Sequence, residues 1–93
     1  MEKMIEKKGS KKMYKYLRKY IFDELQRKYE IRISKIRNGL YKVNEQKHTD
    51  VWGRYWHTWS DNTYTLNSKK DVEKLINSLI QEGYELVIVV YTE

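Results

Sequence analysis

His48 and His57, with Asp50 and Asp61 close by in the chain, are the residues whose types could support catalysis or hold a metal. An imidazole beside a carboxylate can act as a general base or complete a metal site. Their spacing matches no ligand motif, and two histidines set among strand-forming aromatics read first as surface residues. The chain has no glycine-rich phosphate loop, no paired carboxylates and no nucleophile elbow. It has no cysteine, which excludes thiolate chemistry and a disulfide framework. A protein that is not an enzyme and carries no cofactor or metal is the expectation.

Binding chemistry is better represented. Residues 1–29 hold ten Lys and Arg against four Asp and Glu, which is the whole net charge of +6. Lys8, Lys11, Lys12, Lys15, Arg18 and Lys19 are the candidates for contact with nucleic acid or another anionic partner. A solvated basic face is the plainer reading of the same spacing. The second candidate is an aromatic patch. In a strand through Val51–Trp59, Trp52, Arg54 and Trp56 share a face, and Trp beside Arg suits a protein interface or base stacking. The plainer alternative is that these aromatics are core.

The elements that would position these residues are read from periodicity and turn chemistry. Residues 11–28 fit a basic amphipathic helix, with Met13, Tyr14, Tyr16, Leu17, Tyr20, Ile21 and Leu25 on one arc and the lysines on the other. Residues 1–10 read as a frayed turn or a flexible basic tail. Asn38-Gly39 between two alternating runs marks a two-residue hairpin turn. Pairing through that turn puts Ile36, Tyr41 and Val43 on one face and Ile31 and Ile33 on the other. A β-bulge near Ser34-Lys35 would restore a single apolar face. Residues 44–50 are polar and read as a loop, Ser60-Asp61-Asn62 as a turn and Thr63–Leu66 as a return strand.

Ser68 to Tyr91 carries the strongest pattern. Ser68 is an N-cap, and Val72, Leu75, Ile76, Leu79 and Ile80 follow at helical spacing. Gly83 ends the helix and a β-branched strand follows. That strand is apolar on both faces and is expected to insert beside an earlier one. The fold class expected is a single α+β domain over residues 1–93. It has a mostly antiparallel sheet of four or five strands, the N-terminal helix, and a second helix before the last strand. A sheet apolar on both sides then needs helices on both faces, a partner or a second copy.

No run is long enough to span a membrane, and residues 1–10 lack the apolar stretch of a secretion signal, so a cytoplasmic protein is expected. The absence of proline and alanine, with abundant Lys, Ile, Tyr and Asn, fits an AT-rich coding genome. The stretch from Arg54 to Val72, a sheet followed by a helix opening Ser-Lys-Lys-Asp, resembles the arm-site DNA-binding domains of phage-type tyrosine recombinases; the strand after the helix departs from that pattern. In size, composition and lack of catalytic residues the whole chain resembles small orphan proteins of bacteriophages and mobile elements, such as anti-CRISPR proteins. That resemblance implies a non-catalytic binder of nucleic acid or of a nucleoprotein complex, able to inhibit a CRISPR-type nuclease effector. The alternative is a protein-binding module, self-association included, that uses the aromatic sheet face.

Overall fold

The computed structural model describes residues 3–7 and 13–92, with side chains described for residues 15–87. The strands are β1 (Lys3–Lys7), β2 (Met13–Phe22), β3 (Gln26–Arg37), β4 (Leu40–Val51), β5 (Tyr55–Leu66) and β6 (Glu85–Thr92); the helix α1 (Lys69–Gln81) precedes β6. They form one sheet in the order β1-β6-β2-β3-β4-β5. Only the β1–β6 pairing is parallel. The last strand thus inserts between β1 and β2, as its composition led us to expect.

The expected α+β arrangement with an N-terminal helix is incorrect. Residues 13–22 form β2, which pairs with β3 on one side and β6 on the other. Adjacent residues explain why. Tyr16 and Leu17 are both buried, and successive strand residues point to opposite faces. Tyr, Ile and Phe also favour strands over helices. A helical arc fitted these residues only because the segment is apolar at both odd and even positions. The described structure is a mostly antiparallel sheet with one helix.

That helix covers one face. Leu17, Ile31, Ile33, Tyr41 and Val43 pack beneath Val72, Ile76 and Leu79, with Leu66, Leu75 and Tyr84 at the margin. The expected bulge is what makes this face continuous. Ile33 pairs with Val43 and Lys35 with Tyr41, while Arg37 pairs with Leu40, so the register shifts by one residue at Ile36. Ile31 and Ile33 thereby join Tyr41 and Val43, and Ile36 is turned out to solvent. The shift lies next to the turn, just beyond Ser34-Lys35. Gly39 has a φ of 78°, but Asn38 does not have positive φ. The two-residue turn is therefore neither type I′ nor type II′, both of which need positive φ at the first residue, Asn38.

The expected loop at residues 44–50 and the expected turn at Ser60-Asp61-Asn62 are both strand. They are the paired middles of β4 and β5, with Gln46 opposite Asp61. Neighbours on both sides satisfy the backbone of β4, so its polar side chains say nothing about its hydrogen bonding. The reversal lies instead at Trp52-Gly53-Arg54, and a second bulge places Trp59 outside the ladder.

The helix ends are built as the sequence indicates. The Ser68 hydroxyl accepts from the Asp71 N–H at 3.1 Å. At the other end Gly83, at φ 100°, lets the Tyr84 N–H reach Leu79 O and its own N–H reach Ile80 O, both at 3.0 Å. This double closure satisfies carbonyls that the helix leaves open. Lys19 Nζ donates to Glu82 O at 2.7 Å, placing a cation at the negative helix end. Ser68→Ala is expected to cost about 1 kcal/mol, read as a lower urea midpoint with unchanged slope.

Candidate functional site

Among the described residues no helix lies over the face opposite α1. Paired residues share a face, so the register assigns its rows directly. One row is Tyr16, Arg32, Asn44 and Thr63; the next is Arg18, Glu30, Gln46 and Asp61; the third is Tyr20, Lys28, His48 and Thr58. Phe22 opposite Gln26 and Asp50 opposite Trp56 continue toward the turns.

The centre of this face is a packed polar cluster. Glu30 and His48 are only 5% and 6% exposed, although no helix covers them. The Tyr16 hydroxyl donates to Glu30 Oε2, and Arg32 reaches the same oxygen at 3.1 Å. His48 Nε2 lies 2.7 Å from Glu30 Oε1, and His48 Nδ1 lies 2.8 Å from Thr58 Oγ1. Arg32 also donates to Gln46 at 2.9 Å, and Gln46 and Asn44 both donate to Asp61. Burial alone would raise the Glu30 pKa. The Tyr16 hydrogen bond and the charges of Arg32, Lys28 and His48 outweigh it and hold the carboxyl below its ordinary value. Tyr16 is pushed up, by burial first and then by Glu30.

Thr58, His48 and Glu30 have the residue types of a hydrolytic relay. The geometry is not that of one. Nε2 is close to Glu30 but off the hydrogen-bond direction, and it has no hydrogen-bond partner. The acid therefore does not orient the imidazole as a relay requires. No group of three or more His, Cys, Asp or Glu able to hold a metal occurs among the described residues.

Beyond this cluster, toward the turns, the face changes character. Tyr20 and Phe22 stack with ring centres 5.9 Å apart and a 7° tilt, and Arg18 lies over Tyr20 at 5.4 Å. Lys28 sits 4.8 Å above the Trp56 ring. Tyr20, Phe22 and Trp56 are all exposed, as are Leu25, Trp52, Tyr55 and Trp59 at the same end of the sheet. On the helix side of that end Trp59 packs edge-on against Tyr29, and Lys47 lies over both rings.

Trp52 is the most unusual of these residues. It sits at φ 58°, followed by Gly53 at φ 69°, and the Arg54 N–H closes the turn on Val51 O at 3.0 Å. A bulky residue in the left-handed region costs roughly 1–2 kcal/mol. Its side chain is 91% exposed, so packing does not offset that cost. Neither local conformation nor packing favours tryptophan there.

The basic residues expected to form one stripe do not do so. Lys15 and Lys19 lie on the α1 side and Arg18 on the other, because a strand alternates; Lys8, Lys11 and Lys12 lie outside the described residues. Lys19 serves the helix end. Of the expected patch, Trp56 is on the open face, whereas Trp52 and Arg54 form the turn beyond it. Tyr20, Phe22 and Lys28 were missed as site residues. Tyr20 and Phe22 had a signal in the alternation Tyr16, Arg18, Tyr20, Phe22, hidden by the helical reading, whereas Lys28 had none within its own segment.

Comparisons with known proteins identify no relative: no family model, no curated protein and no solved structure matches the chain. Among the described residues no helix is long and apolar enough to cross a membrane.

Proposed function

We propose that this is a non-catalytic binding protein whose open sheet face takes single-stranded nucleic acid, alone or within a nucleoprotein complex. The observation that carries the reading is the pairing of exposed rings with cations: Arg18 over Tyr20 beside Phe22, and Lys28 over Trp56. Exposed rings offer stacking platforms to any base, and adjacent cations neutralise the phosphates between them. Two anions on this face, Glu30 and Asp61, are engaged away from that platform, while Asp50 lies opposite Trp56 and Glu85 bonds to Arg18. Glu30 is buried under Arg32, and Asp61 is held by Asn44 and Gln46. In a cytoplasmic phage-type setting such a protein acts by occupancy, on a CRISPR-type nuclease effector for example, and reaches full inhibition near one equivalent per site.

A protein partner is the second reading, and one feature favours it. The cleft between the two turns is lined by Glu24, Leu25, Gln26, Asp50, Val51, Trp52 and Gly53, which include no cation. Salt separates the two readings, because phosphate contacts weaken steeply as salt rises and apolar contacts do not.

The test is fluorescence anisotropy with labelled single-stranded DNA and RNA at low and high salt. Trp56→Ala is expected to cost about 1–3 kcal/mol of affinity, the usual worth of one stacked base. Trp52→Asn is expected to weaken binding while leaving the melting temperature unchanged or higher, since Asn tolerates the left-handed region. Absence of oligonucleotide binding, or binding indifferent to salt and to both substitutions, would overturn the nucleic-acid reading.

A further inference from the structure

The sheet has two edges, and they are built in opposite ways. β1 is five residues long and carries Lys3, Glu6 and Lys7. Short strands and charges of this kind discourage pairing with another chain. β5 is twelve residues long and reads Tyr-Trp-His-Thr-Trp-Ser-Asp-Asn-Thr-Tyr-Thr-Leu, with no Lys, Arg, Glu, Pro or Gly. In a chain that is 34% charged, its one formal charge is Asp61. That charge is turned inward, to Asn44 at 2.7 Å and Gln46 at 3.2 Å. Seven of its other eleven residues are Trp, Tyr or Thr, which favour strands. The longest open edge of the molecule is thus its least protected one.

We propose that β5 pairs antiparallel with β5 of a second copy of this chain, joining two sheets into one. The self-complementary register of β5 selects a second copy as the occupant, and its lack of cations permits one to approach. The protein carries +6, and like-charged molecules can approach closely only along a border without cations. β5 is such a border. The bulge at Trp59 divides β5 into Tyr55–Thr58 and Ser60–Leu66, and the longer run is the regular edge that the second copy takes. A two-fold axis through Thr63 then sets Thr63 against Thr63, Asn62 against Tyr64, Asp61 against Thr65 and Ser60 against Leu66. No like charges oppose in that register, whereas centring on Asp61 would set two carboxylates against each other. The helices of both copies lie on the same side of the joined sheet, and both open faces stay free.

Sedimentation velocity and cysteine cross-linking on the full chain test the pairing. The wild-type protein is expected to sediment as a concentration-dependent dimer. Thr63→Lys sets two like charges face to face and is expected to sediment as a monomer with an unchanged circular dichroism spectrum. Thr63 also accepts a hydrogen bond from Asn44, so Thr63→Val serves as the control: it loses the same bond and should remain dimeric. Asn62→Lys, opposite Glu45 within its own sheet, is a second variant that keeps its fold and should weaken the dimer. The chain has no native cysteine, so Thr63→Cys should oxidise to a covalent dimer more readily than Tyr64→Cys, whose two copies lie diagonally apart. A wild-type protein that stays monomeric at high concentration overturns the proposal. So does a dimer that persists in Thr63→Lys, which would place self-association on another surface, or equal cross-linking at positions 63 and 64.

Discussion

Replacing Glu30 with alanine is expected to be one of the most damaging changes in the protein, costing about 3 kcal/mol of stability. The reasoning runs through its partners. Glu30 accepts from the Tyr16 hydroxyl and from Arg32, and His48 lies against its other oxygen. Tyr16 is buried and would lose its acceptor with little access to water, and buried His48 would lose the carboxylate beside it. Arg32 is about one-third exposed and can turn to solvent, which holds the cost near the low end of the range for broken buried pairs. Glu30→Gln keeps the shape and an acceptor for Tyr16, so about 1–2 kcal/mol is expected.

Acid titration separates charge from shape. The folded Glu30 pKa is depressed, so its stabilising contribution is present above the ordinary carboxylate value. It is lost as pH falls through the lower, folded value. Urea unfolding at stepwise lower pH should show that loss in the wild type and a reduced loss in Glu30→Gln. A Glu30→Ala protein within 1 kcal/mol of wild type at neutral pH would show that the cluster is not a structural unit.

The parts of this fold legible in the sequence are those where one local signal dominates. Ser68, the apolar spacing from Val72 to Ile80, and Gly83 each specify α1 or its ends independently. The Asn38-Gly39 hairpin was legible too, and so was its bulge, because an unbroken register would have split Ile31 and Ile33 from Val43. β2 was not legible. It is buried on both faces, so its apolar residues carry no clean period of two, and its lysines happen to recur at helical intervals. β4 was missed because its polar residues bond to one another across strands: Asn44 and Gln46 meet Asp61, and Arg32 meets Gln46. The site followed the same pattern. Trp56 was singled out from its own neighbourhood, but that Lys28 lies over it follows only from strand pairings that a single segment cannot reveal.

The bulge at Ile36 also yields a prediction with opposite outcomes at two isoleucines of one strand. Ile33 is completely buried and pairs with Val43 beneath α1. Ile33→Ala removes buried methylenes and leaves a cavity among close-packed neighbours, so about 2–5 kcal/mol is expected. Ile36 lies at the register shift and is 45% exposed. Ile36→Ala should stay within about 0.5 kcal/mol, as surface changes do. Without the bulge the two would exchange roles, since Ile36 would then face the core beside Tyr41 and Ile33 would leave it. Paired urea denaturation curves therefore read the register of the β3–β4 hairpin directly. Equal losses, or a larger loss at Ile36, would mean that the strand pairs straight through to its turn and that the core beneath α1 is assembled from other residues.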